Sequence, residues 1–115
     1  MNAALELITG KLNDRMGRHS VYMQGHVLHP ERSQKVVNHS PDGFMWGYHG
    51  SGPAQLALAI LLELVDEQSA RAHYQEFKRD VIAGLDTYSD FEMPMSVVLE
   101  WIAAHIPDAK APEKI

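Results

Sequence analysis

The residues that could do chemistry are densest between Gly43 and Pro53, where glycines alternate with aromatic side chains, a histidine and a serine. An apolar run follows, so a helix is expected to start at Pro53, with Ser51 or Gly52 as its N-cap. Free N–H groups and the positive end of the helix dipole attract anions there, and glycines let a ligand approach the backbone. The segment therefore predicts a small-ligand, nucleotide or anion site formed by Trp46, His49, Gly50, Ser51 and Gly52.

The same segment departs from the motifs of well-known phosphate and nucleophile sites. A P-loop needs Lys and then Ser or Thr after its last glycine, whereas Pro53 follows Gly52. The dinucleotide fingerprint would have a third small residue where Gln55 stands. A nucleophile elbow needs glycines on both sides of Ser51, and His49 occupies one of those places. A structural role, in which tight turns lead the chain into a buried helix, stays open beside the binding role.

No catalytic or metal-binding pattern emerges from the remaining sequence. His26 and His29 stand three apart in a predicted strand, a spacing that points their side chains to opposite faces. The chain has no cysteine, which excludes disulfides, thiolate catalysis and Cys-ligated metal sites. We therefore predict no metal site, no cofactor and no catalytic residues. Whether the protein is an enzyme stays open, and the lack of an assembled catalytic set favours a non-enzymatic role.

The charge of the chain is concentrated in its second half. The net charge is −5, and residues 51–115 carry five Lys or Arg against eleven Asp or Glu. A non-specific nucleic-acid binder needs a dense basic face, so that class is disfavoured. The acidic segment could instead occupy a basic groove of another protein, or it could be an ordinary solvated surface. The candidate protein-binding residues are Asp86, Asp90 and Glu92.

Hydrophobic periodicity predicts an α+β fold for the 115 residues. A small antiparallel hairpin or three-stranded sheet packs on a bundle of three to four helices around a central buried helix. The strands are expected in 21–28, around the turn Gln24-Gly25, with an optional short strand at Val36-Val37. Helices are expected over 2–12, 53–65, from Asp66 or Ser69 to about 85, and from 94 to 106, with a turn-like acidic stretch at 86–93.

The chain is expected to form a single domain, 1–115. Residues 1–18 would be an N-terminal helical extension, 19–106 the core and 107–115 a frayed tail. Its longest apolar stretch, Ala54 to Leu62, is far shorter than the roughly 20 residues that cross a bilayer. The N-terminus lacks the pattern of a secretory signal. We therefore expect no membrane association and a cytoplasmic location.

Residues 40–61 read SPDGFMWGYHGSGPAQLALAIL. This run resembles the signature SP-x-GF-x-WGY-x-GSGPAQLALA of an uncharacterised family of small proteins from phage, plasmid, bacterial and archaeal genomes. The similarity covers about residues 20–106, and His49 stands where the family more often has glycine. The family has no established activity to carry over. What the resemblance implies is an association with mobile elements and an accessory or anti-defence role in the host cytoplasm.

Two functional hypotheses follow for the whole chain. The first is a non-enzymatic interaction module that binds a protein partner, with a second copy of the chain as another candidate partner. The alternative is a small-ligand, nucleotide or anion-binding protein that uses the glycine-rich entrance of the central helix.

Overall fold

The computed structural model describes residues 6–12 and 19–112. In these residues a four-stranded antiparallel sheet and four α-helices share one hydrophobic core, so the expected α+β class is confirmed. The strands lie in the order β3-β2-β1-β4. Their bounds are β1 Leu7–Lys11, β2 Ser20–Met23, β3 His26–Val27 and β4 Phe91–Pro94. The helices are α1 Glu31–Val36, α2 Ser51–Leu64, α3 Glu67–Phe77 and α4 Met95–His105.

The sheet is larger than the predicted hairpin or three strands because two segments pair that were expected to do otherwise. The helix expected over 2–12 is wrong at Leu7–Lys11, which forms β1; residues 2–5 of that prediction lie outside the described residues. Ile8 and Gly10 point into the core and alternate with more exposed neighbours, which is the period of a strand. Phe91–Pro94 alternates in the same way, so part of the stretch expected to be turn-like is β4.

Two turns predicted from the sequence are confirmed. Gln24 and Gly25 join β2 to β3 with φ of 54° and 82°, the pair of positive values that a tight hairpin turn of type I′ requires. Ser40-Pro41-Asp42-Gly43 closes with the N–H of Gly43 donating to the carbonyl of Ser40 at 3.2 Å. Residues 43–50 then form an irregular ribbon along the core, with Phe44 and Trp46 buried.

Helix α2 is the centre of the molecule, as predicted. Its residues from Gly52 to Leu62 are all buried. Gln55 is the one buried polar side chain of α2, and its amide is fully paired: Nε2 donates to Ser33 Oγ and the Val37 carbonyl, and Oε1 accepts from the backbone N–H groups of His39 and Ser40. Val36 ends α1 and Val37 follows it, so the short strand expected at this pair is wrong. Val36 belongs to the last turn of α1, and the carbonyl of Val37 accepts its hydrogen bond from the Gln55 amide rather than from a neighbouring strand.

Helix α3 starts at the predicted N-cap Asp66, whose carboxylate accepts the N–H of Ser69 at 3.1 Å. Beyond Phe77 the helix widens into a π-helical turn, Lys78–Ile82. The same Asp66 carboxylate accepts the N–H of Lys110 at 2.9 Å, and the backbone N–H of Asp66 donates to the Lys110 carbonyl at 3.0 Å. Within the tail that was expected to fray from residue 107, Lys110 is thus hydrogen-bonded to the start of α3, and 113–115 lie outside the described residues. A bilayer crossing would need a longer apolar helix than any in the described part of the chain.

Candidate functional site

The glycine-rich entrance of α2 differs from its predicted capping. The N-cap is Gly50, which offers no side-chain hydrogen bond, and the predicted caps Ser51 and Gly52 both lie inside the helix. Ser51 is the first helical residue and is exposed, and Pro53 is the third helical residue rather than the first. Pro53 still tolerates this place because N–H groups of the first turn have no partner within the helix. Helix α2 therefore starts two residues upstream of the predicted Pro53.

The five predicted ligand residues do not converge on one surface. Trp46 is completely buried, and its Nε1 donates to the carbonyl of Ser89 at 3.1 Å. His49 is exposed and Gly50 is half-buried. Ser51 and Gly52 line a cleft of about 970 Å³, whereas Trp46, His49 and Gly50 do not. The structure therefore separates the set into a core residue, two cleft residues and two residues beside the cleft.

The cleft lies between the β2–β3 hairpin, α1, the turn at residues 40–43 and the start of α2. Its polar lining includes His29, Glu31, Gln34 and Asp42. Two carboxylates face the space, and among the described residues that line it there is no Lys or Arg. This electrostatic environment opposes a phosphate or nucleotide and is more compatible with a neutral or cationic ligand.

Gly52 serves packing at this entrance. A Cβ on Gly52 would lie 2.5 Å from the Cβ of Met45, which is closer than non-bonded carbon atoms approach one another. The bare backbone therefore lets the irregular ribbon lie against the first turn of α2. This supports the structural role that the sequence left open for the glycines.

The ribbon also supports the acidic segment that was the second predicted site. Gly47 has φ +88°, and its N–H donates to the carbonyl of Ile82 at 3.1 Å. A Cβ there would lie 2.4 Å from the backbone nitrogen of Thr87. Together with the bond from Trp46 to Ser89, this close approach fixes residues 85–90, which we call the tyrosine loop, against the core.

Hydrogen bonds within the tyrosine loop hold its backbone as well. The Asp86 carboxylate accepts the N–H of Tyr88 at 2.9 Å and the hydroxyl of Ser89 at 2.8 Å. These two bonds, the one from the Tyr88 N–H first, lower the pKa of Asp86 because they stabilise its charged form. Asp90 accepts the N–H of Leu12 at 2.7 Å and lies 3.8 Å from Lys11 Nζ.

At the centre of this fixed loop, the side chain of Tyr88 is 88% exposed. Asp86, Asp90 and Glu92 are exposed around it in the sequence, and Glu92 lies on the solvent face of β4. The structure thus brings two predicted acidic residues into one loop, with the third on the strand that follows. Tyr88 was missed by the sequence analysis, although an aromatic residue between two acids in a turn-like stretch is the signal that could have identified it.

Comparison with known proteins places the chain in a family. Residues 11–104 match a family of unknown function, DUF6166, and because the match covers most of the chain, the chain belongs to that family. No curated protein and no solved structure matches it.

Proposed function

We propose that this member of a family of unknown function is a non-enzymatic interaction protein that binds a basic segment of a partner protein through the tyrosine loop and Glu92. The observation that carries the proposal is the exposure of Tyr88 on a loop whose backbone is held by hydrogen bonds. The exposed ring of Tyr88 contacts water, and a partner that covered it would gain the favourable free energy of burying an aromatic surface.

The fixed backbone makes the loop suited to binding. A flexible loop must be ordered when it binds, which subtracts from the affinity, whereas a preorganised loop avoids most of that loss. Tyrosine is also among the residues that most often dominate the energy of protein interfaces. Tyr88 therefore has the features of an anchor residue.

The charges around Tyr88 favour a basic partner. Asp86, Asp90 and Glu92 are exposed acids. Lys11 Nζ lies 3.8 Å from the carboxylate of Asp90 and so offsets the charge of one of the three. Each carboxylate can accept about four hydrogen bonds, so the bonds that Asp86 makes within the loop leave acceptor capacity for Lys or Arg of a partner. Complementary charge would speed association and make it sensitive to salt.

A peptide array tests the proposed chemistry directly. The full chain is applied to Lys/Arg-rich peptides and to Asp/Glu-rich peptides of equal length and apolar content, and the affinity of the best binders is measured in solution. We expect the basic peptides to bind. Tyr88→Ala and Glu92→Gln should each lower their affinity about tenfold, which corresponds to the loss of ~1.4 kcal/mol of binding free energy.

Tyr22→Ala is the matched control, because Tyr22 is 39% exposed on the outer face of the sheet and belongs to β2, which β1 separates from Glu92 on β4. It should leave peptide affinity unchanged. Equal binding of acidic and basic peptides, or an equal loss in both tyrosine variants, contradicts the proposal. Sedimentation of the chain alone separates self-association from partner binding: a dimer that Tyr88→Ala dissociates would identify the partner as a second copy.

The proposed setting is the host-cell cytoplasm, as an accessory or anti-defence factor of a phage or plasmid. The support is the resemblance of residues 40–61 to the signature described above. Fractionation of cells that express the protein tests its location. A plasmid-transfer or phage-infection assay in a host with active defence tests its role, and Tyr88→Ala should remove any protection while Tyr22→Ala retains it.

A ligand in the α2 cleft is the second candidate function. The observation that favours it is the volume of about 970 Å³ beside Ser51 and Gly52. A thermal-shift screen of nucleotides and of neutral and cationic metabolites tests it, since a ligand at 100 times its Kd stabilises the protein by about 2.7 kcal/mol. Ser51→Phe, which would fill the mouth of the cleft, should abolish any shift. A panel that leaves the melting temperature unchanged contradicts this candidate.

A further inference from the structure

Three side chains that can ligate a metal ion join α3 to α4. Glu76 lies near the end of α3, Asp80 in the π-helical turn that follows it, and His105 is the last residue of α4. The Nε2 atom of His105 is 3.6 Å from Asp80 Oδ2 and 3.9 Å from Glu76 Oε1. One ligand atom from each residue lies within 4.8 Å of the other two. None of the three lines the α2 cleft or belongs to the tyrosine loop.

The orientation of His105 determines which of its nitrogens faces the two carboxylates. Its Nδ1 is 2.9 Å from the backbone carbonyl of Trp101. A carbonyl oxygen only accepts hydrogen bonds, so Nδ1 carries a proton and donates it. In the neutral imidazole, Nε2 is then unprotonated, and its lone pair is directed towards two anionic groups. A metal ion between the three groups would accept one lone pair from each of them.

Trp101 positions two of the three groups. Its Nε1 donates to Asp80 Oδ2 at 2.8 Å, and its ring stacks on the His105 imidazole with centroids 4.4 Å apart and planes at 15°. Trp101 itself is buried. A hydrogen bond from the non-ligating nitrogen of histidine to a carbonyl, and a second bond that orients a carboxylate, are the outer-shell contacts typical of metal sites.

We propose that Glu76, Asp80 and His105 bind a divalent transition-metal ion, with zinc as the representative. One imidazole and two carboxylates form a nitrogen–oxygen ligand set that suits zinc and its first-row neighbours, whereas Ca²⁺ and Mg²⁺ prefer oxygen ligands alone. Bonds of about 2.0–2.2 Å in a tetrahedron separate neighbouring ligand atoms by about 3.3–3.6 Å. The observed 3.6 and 3.9 Å need to close by only a few tenths of an ångström, and the pair of Glu76 and Asp80, which lies within 4.8 Å, by at most about 1.5 Å.

The proposed site has three protein ligands, which leaves a fourth tetrahedral position for water or an outside group. His73 Nδ1 lies 3.6 Å from the second oxygen of Glu76 and can orient that carboxylate. Because the ligands come from both α3 and α4, the ion would hold the end of one helix to the end of the other. This inference is independent of the proposed function of the tyrosine loop.

Titration calorimetry of the full chain, without an affinity tag and after treatment with a chelator, tests the site with ZnCl₂. We expect binding of one ion per chain, and at least tenfold weaker binding in His105→Gln, Asp80→Asn and Glu76→Gln. His49→Gln is the matched control, since it removes an exposed histidine outside the cluster and should leave the affinity unchanged. Far-UV circular dichroism verifies that each variant is folded.

A second readout identifies the ligating atom. Zinc added to the isotope-labelled protein should shift the imidazole resonances of His105 and leave those of His49 in place, because only an imidazole bound to the ion changes its shielding. Absence of saturable zinc binding overturns the proposal. Zinc binding that persists in His105→Gln, or is equally weakened in His49→Gln, overturns the assignment to this site.

Discussion

The glycine-rich ribbon at residues 43–50 and the tyrosine loop both contained candidate site residues in the sequence, and the structure uses them in opposite ways. The ribbon turns its most distinctive side chain inward, since Trp46 is fully buried. The loop turns Tyr88 outward, with 88% of it exposed. The two segments touch, because Trp46 bonds Ser89 and Gly47 lies against Thr87.

Through this contact the glycine-rich ribbon, the more conspicuous motif of the sequence, supports the less conspicuous tyrosine loop. The bare backbone of Gly47 lets the loop approach, and the indole of Trp46 holds the carbonyl of Ser89. Changes in the ribbon should therefore alter the stability of the fold, whereas changes at the tip of the loop should alter binding and leave stability nearly unchanged. Four measurements test this contrast.

Trp46→Ala should have the largest effect. The indole is completely buried, packs edge-on against Phe91 with centroids 4.8 Å apart, and donates to Ser89. Removing a buried tryptophan destabilises a protein by about 3–5 kcal/mol. Urea unfolding measures the loss, and Tyr88→Ala is the control, with an expected change within about 0.5 kcal/mol. Similar losses in both variants would erase the contrast between the segments.

Gly47→Ala should destabilise the protein by about 2 kcal/mol or more, because an alanine there combines a strained positive φ with a collision against the backbone of Thr87. Gly43→Ala is a matched control: its φ is +109°, but no atom lies within 4 Å of an added Cβ. It should therefore show the strain alone, about 1 kcal/mol. The difference in unfolding free energy between the two variants isolates the close approach, and equal losses would refute it.

The pKa of Asp86 offers a smaller, local test at the loop. It lies below its ordinary value of 3.8 because the Tyr88 N–H and the Ser89 hydroxyl stabilise the carboxylate. A lowered pKa in the folded state means that the contribution to stability is complete above pH 3.8 and is lost as the pH falls through the folded-state pKa. NMR titration should give a value below 3.8 that rises in Ser89→Ala. No rise would mean that the hydroxyl does not hold the loop.

Ser51→Ala should have the smallest effect. The sequence predicted a capping role, whose removal would destabilise the helix by about 1 kcal/mol. In the structure Ser51 is exposed and its side chain does not cap the helix. We therefore expect a change within about 0.5 kcal/mol in thermal unfolding. A loss of about 1 kcal/mol in the free energy of unfolding would instead show that the Ser51 side chain stabilises the first turn of α2.

The sequence predicted the parts of the fold that local patterns determine. The apolar run from Ala54 identified the buried helix, and the turn Gln24-Gly25 identified the hairpin. Strands β1 and β4 were missed because both are short and β4 pairs with β1 across most of the chain, with Ile8 opposite Met93, while β1 also pairs with β2. For β1, the helical spacing of Ala3, Leu5, Ile8 and Leu12 outweighed the alternation seen in Leu7–Lys11.

The candidate sites show the same limit. The acids Asp86 and Asp90 could be named from composition, but the exposure of Tyr88 depends on where Trp46 and Gly47 hold its loop. The spacing of Glu76 and Asp80, four residues apart, is visible in the sequence and places both on one helix face. His105 joins them only through the packing of α4 by way of Trp101, which no local pattern encodes.

The position of β1 inside the sheet has a consequence for how the chain is made. Leu12 at the end of β1 bonds Asp90, 78 residues later, and β1 is flanked by β2 on one side and by β4 on the other. During translation β1 and the hairpin leave the ribosome early, with one edge of β1 unpaired until β4 follows. Pairing of such distant segments is slow, and an unpaired edge can recruit other chains. Aggregation should therefore be the main hazard for nascent chains that stall before residue 91.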